Sequence, residues 1–167
     1  GLAPEQLREE IKTSLQHINA QMSTYRQDSE LSLFNASRSI DWQSVSEDLY
    51  KVVDTAKKIS ELSVGAFDIT VGPLVNLWGF GPDPMTFTAP AQVLIDQKMK
   101  LIGYQHIELR AESLAIKKNI PELYIDLSAI AKGYAVDRIG MLLEAHDIAD
   151  YLVEIGGELR LRGNNLQ

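Results

Sequence analysis

Along the first half of the chain the apolar positions recur at helical spacing. Leu7, Ile11, Leu15, Ile18 and Met22 fall three or four residues apart, with Pro4 suited to the first helical turn and Arg8, Glu9, Lys12 and Gln16 left outside. A polar loop from Thr24 to Asp28 follows. Ser29 to Asn35 then reads as a short helical turn capped by Ser29 or Asp28. Ser44-Val45-Ser46-Glu47 has the spacing of a capping box, after which Leu49, Val52, Val53, Ala56 and Ile59 form one apolar stripe. Gly65 can end that helix in the left-handed conformation glycine adopts cheaply. Ala66 to Thr70 is expected to be short and partly β-like, with Gly72-Pro73-Leu74 opening a brief helical piece. Leu77-Trp78-Gly79-Phe80-Gly81-Pro82 closes that piece as a bent aromatic loop. Pro90 opens a further helix with Val93, Leu94, Met99 and Ile102 on its apolar face and Gly103 as its stop.

The second half shifts toward a period of two. Tyr104 to Leu109 reads as a strand, with Ile107 and Leu109 alternating against His106 and Glu108; Leu114-Ala115-Ile116 is its hairpin partner across Arg110 to Ser113. Leu123 to Leu127 reads as a short strand, followed by a tight bend of small residues. An amphipathic helix then turns Ala135, Val136, Ile139, Leu142 and Leu143 inward. Tyr151 to Ile155, a Gly156-Gly157 break and Glu158 to Arg162 make a second pair of strands. No segment repeats. This order predicts a single α+β domain with helices packed on a largely antiparallel sheet.

Composition changes the picture mainly by exclusion. The 167 residues are 45% hydrophobic and 23% charged, enough to bury a real core. A formal charge of −7 with no Lys/Arg cluster argues against nucleic acid and acidic membrane surfaces as partners, but not against a small anion held by a few donors. The chain has no cysteine, which removes disulfides, thiolate metal sites and thiol catalysis. No apolar run approaches the ~20 residues of a membrane-crossing helix. His17, His106 and His146 lie far apart, without metal-site spacing, and read as surface or satisfied side chains. Neither end reads as a natural boundary, so a fragment is expected.

The stretch with the clearest chemical content is Tyr124-Ile125-Asp126-Leu127-Ser128-Ala129-Ile130-Ala131-Lys132-Gly133. A strand feeding a helix N-terminus leaves open amides where the helix dipole favours negative charge. Asp126 and Lys132 add a carboxylate and an ammonium. By itself this pattern is read first as an ordinary strand-to-helix junction with a surface lysine. Neither phosphate-binding glycine motif nor a Gly-x-Ser-x-Gly is present. What remains is acidic and oxygen-rich: Asp68 with Thr70, Asp126 with Ser128, and Glu154 and Glu158 around the Gly-Gly. Such oxygens suit Mg²⁺, which is often held by one or two carboxylates together with substrate phosphates. Trp78 and Phe80 could form a wall for a planar ligand or a satellite hydrophobic cluster, and Tyr25 could be a packing lid.

Taken together, four stretches resemble the ApbE-type flavin transferases (FAD:protein FMN transferases). They are Met22-Ser23-Thr24-Tyr25 with Asp28-Ser29-Glu30-Leu31-Ser32 and Phe34-Asn35; Gly65-Ala66-Phe67-Asp68-Ile69-Thr70-Val71-Gly72-Pro73-Leu74 with Leu77-Trp78-Gly79-Phe80-Gly81; Asp126 to Asp137; and Gly156-Gly157-Glu158. The resemblance implies an enzyme that splits FAD at its diphosphate, moves FMN to a Thr or Ser hydroxyl of an acceptor protein, and releases AMP with Mg²⁺ required. By matching position, Tyr25 would stack near the flavin, Ala66, Phe67 and Asp68 would line the FAD cleft, and Asp126 and Lys132 would bind the nucleotide. Ala129 would offer the metal its main-chain carbonyl. Asp126 is also the candidate base for the acceptor hydroxyl. The acceptor implied is a flavoprotein subunit of a membrane redox complex, and the full-length protein is expected to be periplasmic or exported, lipid-anchored at the inner membrane.

This chain departs from the family pattern at both ends. Family members begin with a leader and a strand holding a Met-Gly-Thr-like turn, and continue past the Gly-Gly-Glu strand into a half that supplies an Asp and a Thr or Ser to the metal. Both are missing here, so the piece by itself is expected to be inactive. An FAD-binding protein without turnover, and an FAD diphosphate hydrolase on the same scaffold, stay open as alternatives.

Overall fold

The computed structural model describes residues 3–81 and 89–164. Pro82 of the expected aromatic loop, and Gly1, Leu2 and Asn165-Leu166-Gln167 at the ends, lie outside the described residues. In chain order come α1 (Pro4–Met22), α2 (Glu30–Ala36), β1 (Gln43–Ser44), α3 (Glu47–Leu62), α4 (Gly72–Leu77) and α5 (Gln92–Met99). These are followed by β2 (Ile107–Arg110), β3 (Ala115–Lys118), α6 (Ala131–Ala145), β4 (Tyr151–Ile155) and β5 (Glu158–Arg162). All strand pairings are antiparallel, but among the described residues they form two sheets rather than one: β1-β3-β2 and the β4-β5 hairpin. The α+β class expected from the pattern holds. Among the described residues no helix is long and apolar enough to cross a membrane.

α1 begins where Pro4 predicts, and the Ala3 N–H donates to the Gln6 side chain at 3.3 Å. The α2 cap is Ser29, whose Oγ accepts the Ser32 N–H at 3.0 Å. At α3 the capping box expected from Ser44 and Glu47 is absent. Ser44 belongs to β1, and Ser46 is the cap, accepting the Leu49 N–H at 3.3 Å. The reciprocal carboxylate comes from another helix: Glu30 of α2 accepts both the Ser46 N–H and its hydroxyl at 2.6 Å. The cap therefore also ties α2 to α3. Ile59, expected in the α3 stripe, is exposed, and Ser60 is the buried residue at that level, its hydroxyl donating to the Ala56 carbonyl at 3.0 Å.

Three other expectations change. Ala66 to Thr70 is turn rather than β-like, because Asp68 engages its own neighbours. α5 starts at Gln92 and buries none of its residues, so Val93, Leu94 and Met99 stand exposed instead of forming a core face. Tyr104 to His106 is a 3-10 turn, and the strand starts only at Ile107.

The fourth correction matters most. Leu123 to Leu127 is extended but belongs to no sheet. Leu123, Ile125 and Leu127 are fully buried with Ile18 and Met22 of α1, Phe34 of α2, Val52 and Val53 of α3, and Ile107 and Ile116 of the sheet. Burial of such side chains contributes about 1.5–3 kcal/mol each, which holds the segment inside the core. Its backbone groups must still be paired there. Asn35 does for Ile125 what a neighbouring strand would do: its Oδ1 accepts the Ile125 N–H and its Nδ2 donates to the Ile125 carbonyl, both at 2.8 Å. The Asp126 N–H donates to the Ile69 carbonyl at 2.7 Å, and the Leu127 carbonyl accepts from Ile130 and Ala131 at 2.9 and 2.8 Å as α6 begins.

α6 packs on α1 and on the hairpin, burying Val136, Ile139, Leu143 and Val153 in a second cluster. Arg160 lies on the α6 side of the hairpin, donating to Asp137 at 3.0 Å, Glu144 at 2.9 Å and the Tyr151 hydroxyl at 3.0 Å. Leu152, Leu159 and Leu161 take the opposite face and are 66%, 59% and 68% exposed.

Replacing Asn35 by Ala strips two buried backbone groups of their partners. At about 1–3 kcal/mol for each unsatisfied group, Asn35→Ala is expected to cost about 2–6 kcal/mol, read as a lower urea midpoint at unchanged slope. A loss under about 0.5 kcal/mol would mean that water replaces the side chain without cost and that Asn35 is not the clasp described here.

Candidate functional site

α3 ends by reversing direction. Val64 and Gly65 both take left-handed backbone conformations, at φ 53° and 80°, and the Gly65 N–H closes on the Ser60 carbonyl at 2.8 Å. A β-branched residue stores strain at such an angle. The turn delivers Ala66 and Phe67 to one wall of a cleft of about 540 Å³. Phe67 is fixed there by its N–H, which donates to the Ser63 hydroxyl at 3.1 Å.

Tyr25, from the loop after α1, forms part of the rim and is 68% exposed. Phe80 faces the same space, while Trp78 does not line it. The rest of the apolar lining comes from Val71, Leu74 and Val75 around α4 and from Met99 and Ile102 at the end of α5. Asp126, Ser128 and Ala129, where the chain turns into α6, complete the lining. The structure thus gathers Tyr25, Ala66, Phe67, Asp68, Asp126 and Ala129 around one space, although they are scattered along the chain.

The two carboxylates in this lining are held differently. Asp68 Oδ1 accepts the Thr70 N–H at 2.8 Å and the Thr70 hydroxyl at 2.7 Å, and its Oδ2 accepts the Tyr104 N–H at 2.9 Å. The Thr70 hydroxyl in turn accepts the Gly103 N–H at 2.7 Å. Asp68 is therefore a clasp that fastens the loop after α3 to the chain entering β2. In Asp126 only Oδ1 is engaged, by the Ser128 N–H at 2.8 Å and its hydroxyl at 2.5 Å; Oδ2 has no partner among the described residues. The Ala129 carbonyl likewise accepts no hydrogen bond among the described residues.

Gly72 sets how closely α4 approaches Tyr124 and Asp126. A Cβ there would stand 2.3 Å from Tyr124 Cδ1 and 3.3 Å from Asp126 Cβ, so only a glycine admits both side chains where they are. On the far side Tyr134 of α6 donates its hydroxyl to Asp48 of α3 at 2.5 Å. Burial, and then this bond, push the Tyr134 hydroxyl pKa up, so it stays a donor and pins the first turn of α6 to α3.

Lys132 does not join this group. It is absent from the cleft lining, and its Nζ donates to the Gly156 carbonyl at 3.4 Å in the turn between β4 and β5. Its neighbour in space is the Gly156-Gly157 turn rather than the wall formed by Ala66 and Phe67. Sequence reasoning missed Val71, Leu74 and Val75, and assigned Met99 and Ile102 to the core. The available signal was that α4 and α5 are too short to bury an apolar face of their own. Among the described residues no three acidic or histidine side chains cluster as a metal site. His17 meets Gln21 at 3.1 Å and His146 meets Glu10 at 2.7 Å.

Comparison with known proteins agrees with this geometry. The family model described as "ApbE family" matches residues 2–167. An FAD:protein FMN transferase of Vibrio cholerae is 46% identical over 159 residues, 95% of this chain and 47% of that protein. One of Escherichia coli K12 is 42% identical over 162 residues, 96% of this chain and 46% of its own length. The solved flavin transferase ApbE of Vibrio cholerae superposes with a TM-score of 0.95 at 44% identity, covering 98% of this chain and 52% of that one. The apo flavinyl transferase ApbE of Pseudomonas stutzeri gives 0.89 at 37% identity, over 98% of this chain and 51% of that one. The chain spans about half the length of the relatives it matches. By the match along nearly its whole length, this chain belongs to the ApbE family.

Proposed function

We propose that the full-length protein carrying this chain transfers the FMN half of FAD to a Thr or Ser hydroxyl of an acceptor protein, releasing AMP in a Mg²⁺-dependent reaction. The observation that carries this reading is the mixed lining of the cleft. Tyr25, Phe67 and Phe80 suit a flat neutral ring, and the same space is bordered by Asp126 and by the Ala129 carbonyl, which accepts no hydrogen bond among the described residues. The names borne by the relatives, FAD:protein FMN transferase, support it.

A diphosphate would be repelled by the two carboxylates of the cleft lining unless a cation stood between them. The donor set fits Mg²⁺ in part. Asp126 Oδ2 and the Ala129 carbonyl are hard oxygens with no partner among the described residues, and Mg²⁺ commonly takes one or two protein oxygens and fills its shell with water and phosphate. When bound, the ion would neutralise charge building on the diphosphate. The acceptor oxygen attacks the FMN phosphorus, the bond from that phosphorus to the bridging oxygen breaks, and AMP leaves with that oxygen; the hydroxyl proton passes to a base. A carboxylate engaged with a cation is a weak base, so we assign Asp126 to holding the nucleotide and leave the base role to another group. Lys132, bonded to the Gly156 carbonyl, reaches nucleotide only by leaving that contact.

Two carboxylates with two roles can be separated by one substitution each. Asp68→Asn replaces an acceptor facing the Tyr104 N–H with a donor and is expected to lower stability by about 1–3 kcal/mol in ligand-free protein. Asp126→Asn retains an acceptor for Ser128 and is expected to leave the melting temperature within about 2 °C while weakening FAD binding in Mg²⁺ at least tenfold. Thermal melts with a flavin fluorescence titration read both. The assignment fails if the two variants exchange behaviours.

The function itself is tested with the full-length protein, FAD, Mg²⁺ and a candidate acceptor. Flavin fluorescence should appear on the acceptor in a denaturing gel, with one AMP released per flavin attached, and should be lost in EDTA. Free FMN formed at the same rate with and without acceptor would instead identify an FAD diphosphate hydrolase, and binding without AMP release a flavin-binding protein.

A further inference from the structure

Lys118, the last residue of β3, is fully buried, with 0% exposure. Its ammonium is in no ion pair among the described residues. Glu122, the acidic group acting on it, is itself paired with Arg38. Nζ donates instead to three main-chain carbonyls: Phe34 at 3.1 Å, Asn35 at 3.4 Å and Leu123 at 3.5 Å, and it stands 5.2 Å from the centre of the Phe34 ring. The first two carbonyls lie in the last turn of α2, where the helix dipole attracts a cation. Burial pushes the Lys118 pKa down, so the charge is held at a cost. A lone buried ammonium is poor value as a stabiliser, since an apolar side chain of similar length fills the same space without desolvation.

What this ammonium does that an apolar side chain could not is join two backbones. Asn35, whose carbonyl it holds, is the residue whose side chain clasps Ile125; Leu123, whose carbonyl it also holds, begins the extended segment. Asp126 follows next in that segment. Among the described residues no neighbouring strand fixes the register of the segment, and a shift by one residue would exchange its buried and cleft-facing sides. We propose that Lys118 is a positioning residue for Asp126, acting through the end of α2 and Asn35 to set where the Asp126 carboxylate stands in the cleft. This rests on the assignment of Asp126 to holding the nucleotide.

The test uses the full-length protein with Lys118→Met, which keeps the length of the side chain and removes its three donors. Amide hydrogen exchange in ligand-free protein should accelerate at least tenfold at Ile125 and Asp126, with the central amides of α3 unchanged. The Kd for FAD in Mg²⁺ should rise about tenfold. Placed in an Asp126→Asn background, Lys118→Met should raise Kd by less than about threefold further, because the two substitutions act on the same contact. Exchange that accelerates equally in α3, or not at all at Ile125 and Asp126, would overturn the proposal in favour of a general packing role, as would full additivity of the two Kd effects. If Asp126→Asn alone leaves Kd unchanged, the nucleotide assignment of Asp126 is what fails, and the exchange pattern still decides whether Lys118 sets the segment. Should Lys118→Met not fold, Lys118→Gln, which keeps a donor on a shorter arm, is measured in the same way; failure of both to fold overturns positioning.

Discussion

An extended segment inside a core must find partners for its backbone groups without help from water, and those of residues 123–127 that are paired among the described residues find them outside a sheet. Leu123, Ile125 and Leu127 point into the core, so apolar burial draws the segment inward. Each exposed strand edge it would otherwise need is replaced by something specific: the Asn35 amide at Ile125, the Ile69 carbonyl at Asp126, the start of α6 at Leu127 and the Lys118 ammonium at Leu123. These partners come from α2, from the loop after α3, from α6 and from β3. Fixing one five-residue stretch therefore fixes four elements against one another.

The cleft is a by-product of that arrangement. Because the odd residues of the segment face the core, the even ones, Tyr124 and Asp126, face the other way. There Gly72 lets α4 approach, and α4 brings Val71, Leu74 and Val75 as an apolar wall. The same Ile69 carbonyl that takes the Asp126 N–H belongs to the loop clasped by Asp68 and Thr70. Phe67 and Asp126, which both line the cleft, thus belong to segments joined by one set of hydrogen bonds.

Much of this was legible in the sequence, and the failures share one cause. Helices with a strong apolar period and a local cap, such as α1 and α2, are determined by neighbours in sequence and were readable. The alternation of Leu123, Ile125 and Leu127 correctly marked an extended buried stretch, but alternation reports one chain and not its partner, so a sheet was inferred where Asn35 and Lys118 stand. Ser44 and Glu47 matched a capping box because spacing cannot tell that Glu30 of α2 supplies the carboxylate. At the site, family motifs located six of seven residues around one space. Lys132, the second residue of α6, fell outside it because its side chain runs to the β4-β5 turn, where it meets the Gly156 carbonyl.

Charge is the remaining constraint on what the cleft can do. The chain is acidic overall, at −7, and among the described residues the titratable side chains in the cleft lining are Tyr25 and two carboxylates, with no lysine or arginine. A site meant for an anion is ordinarily given cationic side chains; the cation nearest in sequence, Lys132, is the second residue of α6 and is bonded to the Gly156 carbonyl. Among the described residues Asp126 Oδ2 and the Ala129 carbonyl instead keep their lone pairs free. Unpaired acceptors beside a carboxylate destabilise an anion directly and favour a cation that brings the anion with it. Within the function proposed above, the charge of the described lining favours a metal–diphosphate complex over a bare diphosphate as the species it would receive.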